Sequence, residues 1–570
     1  MGRQSKTPFG VSKFRGLLVA GCFVTAMDFL VRISDCVIGG NLIGEEALAG
    51  IELVAPLVAL IVFVSALLGT GTGVNCSMAY GRCNRERAWQ FFAQGLWSSL
   101  AFGGFLALAI GFFGDRFVAG FGASAQATAY ATAYCRWMAL IAFQRPLITF
   151  LLYVSYTDGD ARICSLSYGL QFVSTAAVSW LLVRAGMGTT GLALGNVTGN
   201  FVAMATLCGH FFRKSNSFRL VRHFSVRDVW TIVRTSFGDA SSYLCDAAFY
   251  YFLCRFMIGR FGQGAMPETG AACTAFQFAE LFIGIGVALQ PLTSVYFGER
   301  NYKGVRTVVR SAVRLGFLSA AVLSLAMIAW PEGVVRLVGI DSPGTFADAV
   351  WAVRLCAIGI SFYTVNCIAT SYLVTIAHEV LSTVHTAVAW LLMPAASVAA
   401  LSVFGENGAW LGYGLSNVLS LAVLLLYVRL RFGRAGFPFL LSHGRDKKLH
   451  MFDLDIVEEQ VAEVSQKVFA TLESADQPPK TVMHAALLVE EVLMTVKERN
   501  AGKAMSAEVT LDLNEGVSLT LRDDGEIFDI TDADQQVSSL RTFLLASLME
   551  HHDDRMNLIT TGFNRNIFNF

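Results

Sequence analysis

Charge is scarce in this sequence. Asp, Glu, Lys and Arg make up 15% of its 570 residues, against roughly 25% in a soluble globular chain. That shortage, together with a 54% hydrophobic composition and a mean hydropathy of +0.53, excludes an ordinary soluble enzyme and indicates a polytopic membrane protein. Net charge is lacking as well, because 43 basic residues balance 43 acidic ones. Bulk attraction to nucleic acid is thereby excluded. Twelve Cys occur, yet there is no CxxC and no Cys/His spacing typical of zinc sites. Cys22, Cys76, Cys164 and Cys254 lie in apolar stretches, where a free Cys behaves as a small hydrophobe, so no metal centre is expected. No cleavable leader is expected either. The basic stretch Arg3, Lys6, Lys13, Arg15 runs into a segment carrying Asp28, Arg32 and Asp35, with no small-residue cleavage site after it.

What is there is a series of apolar windows, each near the 20 or so residues that a spanning helix needs. Six lie near 16–40, 50–78, 92–113, 131–156, 163–184 and 189–212; six more lie near 236–259, 270–296, 309–331, 350–376, 381–403 and 408–431. The reading is an all-α polytopic protein of twelve transmembrane helices. Basic residues follow the even-numbered spans (Arg82, Arg85, Arg87; Arg213, Lys214, Arg219; Arg300, Lys303, Arg306), and acids such as Glu45, Glu46, Glu268 and Glu332 follow odd ones. The positive-inside rule then places both termini in the cytoplasm, and the setting expected is a bacterial inner membrane.

The two halves repeat. "YGRCNRERA" at 80–88 matches "FGERNYKGV" at 297–305, an offset of 217, and the same offset relates Gly122 to Gly339, Gly191 to Gly408, Gly195 to Gly412 and Asn200 to Asn417. The chain therefore divides into a first lobe at 1–212, a linker at 213–235, a second lobe at 236–435, a further linker at 436–450 and a cytoplasmic domain at 451–570. Two lobes of like orientation commonly enclose a central cavity that opens alternately to either side.

Intramembrane charges mark functional positions. Asp28, Arg32 and Asp35 recur at i, i+4 and i+7 and share one helical face, so Arg32 is placed to neutralise one of the two acids while the other titrates or holds a cation. Asp239, Asp246 and Glu280 supply buried acids to the second lobe, with Arg136, Arg145 and Arg354 as candidate partners. Each of these can equally be a structural ion pair. Phe exceeds Tyr and Trp combined, 44 against 15 and 9, and an aromatic cavity suits flat organic cations.

These residues bear a resemblance. "ISDCVIGGNLIGEEALAGIELVAPL" is similar to the first-helix signature of the multidrug and toxic compound extrusion (MATE) transporters, and "GTGTGVNCSMAYGRCNRERA" and "GIGVALQPLTSVYFGERNYKGV" resemble the ends of their second helix and its counterpart. The resemblance covers about residues 14–435. It implies two six-helix lobes, export of organic, drug-like cations in exchange for Na⁺ or H⁺, no enzymatic chemistry in the membrane, and Asp35 as the ion-linked carboxylate. Arg32 beside it departs from the pattern. A lipid-linked oligosaccharide flippase is the alternative within the wider superfamily; it would want a strongly cationic cavity.

From residue 446 the chain becomes charged, with helical periodicity and then the alternating hairpin "EVTLDLNEGVSLTLRDDG" turning at "NEG", which makes a soluble α+β domain. "AALLVEEVLMTVKERN", "LRDDGEIFD" and the closing "TTGFNRNIFNF" resemble the anti-sigma-factor branch of the histidine-kinase-like (GHKL) ATPases. The resemblance implies that Glu490 and Glu491 match that family's acids and that Asp523 and Gly525 match its adenine-reading pair. Thr495 stands where the Mg²⁺-binding Asn would be, and "VSSLRTFLLASLMEHH" has no Gly with which to cradle phosphate. The expectation is a degenerate ATPase-like domain that requires no cofactor, retains at most weak adenine binding, and serves as a regulator or docks a cytoplasmic protein. The competing reading makes the whole chain a membrane-anchored signalling protein with a kinase-like tail.

Overall fold

The computed structural model describes residues 7–570 except 45–46, 48–49, 52, 121–124, 214–215, 262–265, 338–342, 442–443, 527–546, 549–555 and 561–562. The first lobe is built from α1 (Phe9–Leu42), α2 (Ala55–Gly81), α3 (Arg85–Ala119), α4 (Ala125–Thr157), α5 (Ala161–Leu182) and α6 (Gly188–Cys208). The second comprises α7 (Val226–Phe261), α8 (Met266–Gln277), α9 (Ile283–Gly298), α10 (Tyr302–Ala329), the short α11 (Glu332–Leu337), α12 (Pro343–Ala357), α13 (Ile360–Thr375), α14 (Glu379–Phe404) and α15 (Glu406–Gly436).

Among the described residues, nine helical segments are long and apolar enough to cross a membrane, or ten if α12 and α13, bent by 40°, form one span. The twelve windows of the sequence differ from this for two physical reasons. Segment Ala161–Phe212 passes as one unit although it folds back between α5 and α6, and α7 carries Arg227, Asp228, Arg234 and Asp239, which dilute its apolar character. α7 also begins at Val226, inside the stretch read as linker.

The repeat is written into the backbone. Cys83 and Arg300, 217 residues apart, both adopt positive φ, at 59° and 60°. The next residue in each copy caps a helix: Asn84 accepts from the Arg87 N–H, and Asn301 from the Gly304 N–H. Gly188 and Gly405 turn the last hairpin of each lobe with φ of 56° and 66°, a conformation in which a Cβ would clash with its own backbone. Gly122 and Gly339, another matched pair of glycines in the sequence, lie outside the described residues.

The lobes meet at the end of the bundle that carries the tail. A Cβ on Gly81 would lie 2.3 Å from the Val295 carbonyl oxygen, and one on Gly298 2.5 Å from that of Met78, so equivalent glycines press backbone on backbone across the seam. Asn75 donates to Thr235 over 3.1 Å, and Ser236 to the Leu67 carbonyl over 2.5 Å, extending the seam between α2 and α7.

The tail folds as a five-stranded antiparallel sheet in the order β1 (Leu449–Asp455), β2 (Ser506–Asp512), β3 (Ser518–Asp523), β5 (Phe563–Asn569), β4 (Met556–Thr560). The hairpin expected from "NEG" is β2–β3, pairing Asp512 with Ser518. Alternation along each strand gives the sheet two faces. Leu454, Val509, Leu511, Leu519, Leu521 and Phe568 form a core with α16 (Glu458–Ser474) and α17 (Pro479–Arg499). The opposite face, with Asp453, Glu508, Arg522 and Arg565, packs against the lobes.

Candidate functional site

Asp35 sits three-quarters of the way along α1 and is 6% exposed. Its Oδ2 accepts from Asn196 of α6 at 2.6 Å and from the Tyr134 hydroxyl of α4 at 3.1 Å, and Asn196 also reaches Tyr134 at 3.3 Å. Oδ1 is buried without a hydrogen-bond partner, and no Lys or Arg pairs with Asp35 among the described residues. A lone carboxylate in so apolar a setting is costly as a bare anion. Two neutral donors hold one oxygen, and the other is open to a proton or a small cation.

The rest of the expected cluster is arranged differently. The ion-pair partner of Arg32 is not on its own helix; it is Glu280 of the second lobe, at 2.6 Å. Arg145 of α4 takes Asp28 at 2.7 Å. The i, i+4 spacing does put these side chains on one face, but a long guanidinium reaches the neighbouring helix more readily than it folds back. Asp239 accepts from Gln290 and Ser371 at 3.3 and 3.4 Å. The side chain of Asp246 lies outside the described residues. Arg136 is exposed, and Arg354 faces Glu332 and the Trp351 ring, so neither serves the buried acids. Tyr134 and Asn196 escape the sequence reading, since a Tyr and an Asn in apolar spans carry no spacing signal until three helices converge on Asp35.

The second constellation lies between tail and lobes. Glu508, Arg522 and Arg565 stand opposite one another across β2, β3 and β5. Arg522 pairs with both Glu508 and Glu299, and Arg565 with Glu299; the two guanidiniums are 1% and 0% exposed. Arg565 also donates to the Tyr80 carbonyl at 2.5 Å, while the Tyr296 hydroxyl donates to Glu508 at 3.0 Å. The N-terminal end of α1 joins in, the Phe9 N–H donating to Asp453 at 2.8 Å and Lys13 pairing with Asp524 at 3.2 Å. The sheet thus grips the loop after α2 and its repeat counterpart after α9 together, one in each lobe.

Within the tail, Asp523 is on the helix-facing side and 1% exposed. Its Oδ1 accepts from Asn564 at 2.7 Å and from the Gly525 N–H at 3.0 Å. A Cβ on Gly525 would lie 2.9 Å from Val496 of α17 and 2.8 Å from Asn500 just past its end. Asn564 therefore occupies one oxygen of the carboxylate likened to an adenine reader. Glu490 is exposed and Glu491 half-buried on α17, and the Thr495 hydroxyl is turned to the Glu491 carbonyl at 2.7 Å. Most of the segment likened to a lid lies outside the described residues.

Burial pushes the Asp523 carboxyl up to about 6, against the pull of the Asn564 and Gly525 hydrogen bonds. A folded-state value above the unfolded one means that stability from the protonated form is lost as pH rises through 6. Asp523→Asn keeps an acceptor and cannot ionise. It is expected to stabilise the tail at pH near 7.5 by up to about 3 kcal/mol, and to have no such effect below pH about 4. Denaturant melting of the full chain, with β3 and β5 followed by hydrogen exchange, measures the difference; equal stability at both pH values would contradict it.

The MatE family model matches residues 20–181 and 244–399, more than half of the chain in two segments. None of the curated proteins matches. Among solved structures, MATE in complex with MaL6 is similar at a TM-score of 0.70 and 18% identity, covering 74% of this chain and 96% of that one. A MOP superfamily transporter from Pyrococcus furiosus, described as having a binding pocket of reverse polarity, superposes at 0.68 with 20% identity over 75% of this chain and 98% of its own. The outward-facing conformation of a multidrug resistance MATE transporter gives the same figures, 0.68, 20%, 75% and 98%. At these identities the likeness is one of fold, and it leaves about a quarter of this chain unmatched. By its family-model match over both lobes, this multi-pass membrane protein belongs to the MatE family of multidrug-type transporters.

Proposed function

We propose that the chain exports small organic, drug-like cations by exchange for H⁺ or Na⁺, and that the exchange runs through Asp35. The observation carrying this is the buried Asp35 carboxylate with one oxygen held by Tyr134 and Asn196 and the other without a partner. Loading that oxygen with a proton or Na⁺ removes a buried charge, so the packing of α1, α4 and α6 depends on which ion is aboard. Asp28, Arg32, Arg145, Asp239 and Glu280 are three acids and two bases, a balance that suits cations better than the anionic carriers of a flippase. Twelve crossings fit if α5–α6 is counted as a hairpin and α7 as a span. The basic loops at the tail side, with Arg82, Arg87, Arg300 and Arg306, favour that side as cytoplasmic.

The tail acts on this reading as a brake. Lobes that open to the cytoplasm must part at the Gly81/Gly298 seam, and the sheet ties both sides of it. A nucleotide is not needed for that role, and the Asn564 contact to Asp523 speaks for scaffold over adenine pocket. Proteoliposomes with imposed pH or Na⁺ gradients test the function: uptake or release of a cationic dye should follow one gradient and need no ATP. Dye flux that responds to neither gradient would remove the antiport reading.

A further inference from the structure

Against the flank of the second lobe, at its tail-side end, a groove of about 380 Å³ runs between α7, α14 and α15. Val384, Val388, Val423 and Leu424 wall it, and an adjoining hollow of about 250 Å³ is edged by Trp230 and Phe237. Both are lined by Arg234 and Glu379. These two opposite charges come from different helices, and neither forms an ion pair with the other or elsewhere among the described residues. His385 also faces the groove; it is 4% exposed, and its Nε2 has no hydrogen-bond partner. His378 completes the polar end, at the N-terminus of α14. The rims of groove and hollow are themselves apolar and exposed, with Trp230 64%, Val380 62% and Val384 51% exposed. A Trp at the boundary of the apolar band is the usual mark of the headgroup level.

We propose that this groove is a binding site for one phospholipid with an ethanolamine headgroup. The chemistry selects it in three steps. Apolar walls that continue onto the outer apolar surface take an acyl chain, which a soluble anion lacks. Arg234, a guanidinium at headgroup level with no ion-pair partner among the described residues, takes the phosphate, with His378 as a further hydrogen-bonding group and the buried, unpartnered Nε2 of His385 behind it. Glu379 would repel a purely anionic headgroup but accepts hydrogen bonds from a primary ammonium, which choline cannot donate. A ligand with both charges satisfies two side chains that do not satisfy each other.

The site is tested by native mass spectrometry of the full chain in detergent, titrated with phosphatidylethanolamine, phosphatidylglycerol and phosphatidylcholine of matched chains. Glycerophosphoethanolamine serves as the headgroup without chains. Phosphatidylethanolamine should bind about tenfold tighter than either other lipid, the scale of one charge-assisted hydrogen bond. Glu379→Gln should erase that preference, and Arg234→Gln should weaken all three lipids. Val384→Trp, which fills the apolar wall, should weaken them without altering their order. Equal binding of phosphatidylcholine and phosphatidylethanolamine would overturn the proposal, as would indifference to both charge variants. Binding of glycerophosphoethanolamine as tight as that of the intact lipid would also overturn it, by showing a soluble-headgroup pocket. Melting of each variant in lipid-free detergent shows whether it folds; a variant that does not is replaced by Arg234→Lys or Glu379→Asp, for which the same ordering is expected in weaker form.

Discussion

Asp35→Asn is expected to lower gradient-driven export to the level of empty vesicles, a loss of at least about tenfold in rate, while the protein remains folded. The amide still offers an oxygen to Tyr134 and Asn196, so the convergence of α1, α4 and α6 is kept and the stability change should stay within about 1 kcal/mol. What is lost is the ability to pick up and release an ion. Substrate binding without a gradient should survive, because no organic ligand needs to touch a side chain this buried. Tyr134→Phe should give a smaller defect, since Asn196 alone still orients the carboxylate. Full export by Asp35→Asn would put the coupling in the second lobe, where Asp239 is the described acid with the fewest strong partners.

Glu299→Ala should have the largest effect on the tail. That one carboxylate answers two guanidiniums that are almost completely buried. Arg522 keeps Glu508, but Arg565 is left without a carboxylate, and removing one partner of a buried pair costs about 3–5 kcal/mol. The tail's own core, on the other face of the sheet, does not include Glu299. The loss therefore falls on docking, and the sheet should swing away intact. Proteolysis in the 436–448 connection and faster hydrogen exchange in β3 and β5 would report it. Export should persist and quicken, as it should on deleting residues 446–570, because the tail-side seam is no longer tied. A tail that stays protected in Glu299→Ala would show that the apolar contacts, such as Phe9 against Phe563 with ring centroids 5.5 Å apart, carry the docking by themselves.

The sequence disclosed the duplication because repetition at a fixed offset survives in backbone requirements. Cys83 and Arg300 share no side-chain chemistry, yet both must take a positive φ before an Asn cap. It disclosed Asp35 as a buried acid, since an acid in an apolar helix stands out by composition alone. Partner choice was not legible. Helical spacing says which residues share a face of α1 but not which neighbouring helix that face meets, and so the Arg32–Glu280 and Asp28–Arg145 pairs needed coordinates. The tail's contact was hidden for another reason. Glu508, Arg522 and Arg565 occupy the polar phase of alternating strands, which reads as a solvent face; here that face is closed off by polar loops of the same chain.

The two gripped loops are copies of one ancestral loop, and a platform with such internal symmetry would in principle receive the sheet in either of two orientations half a turn apart. One position breaks the tie. At the same offset of 217, the residue matching Glu299 is Arg82. In the flipped orientation Arg522 and Arg565 would face that arginine and not a carboxylate, and like charges brought together out of water would forbid the arrangement. A single divergence of sign between the duplicated halves is enough to give the docked tail a handedness, so Glu299→Arg combined with Arg82→Glu amounts to an instruction to dock backwards.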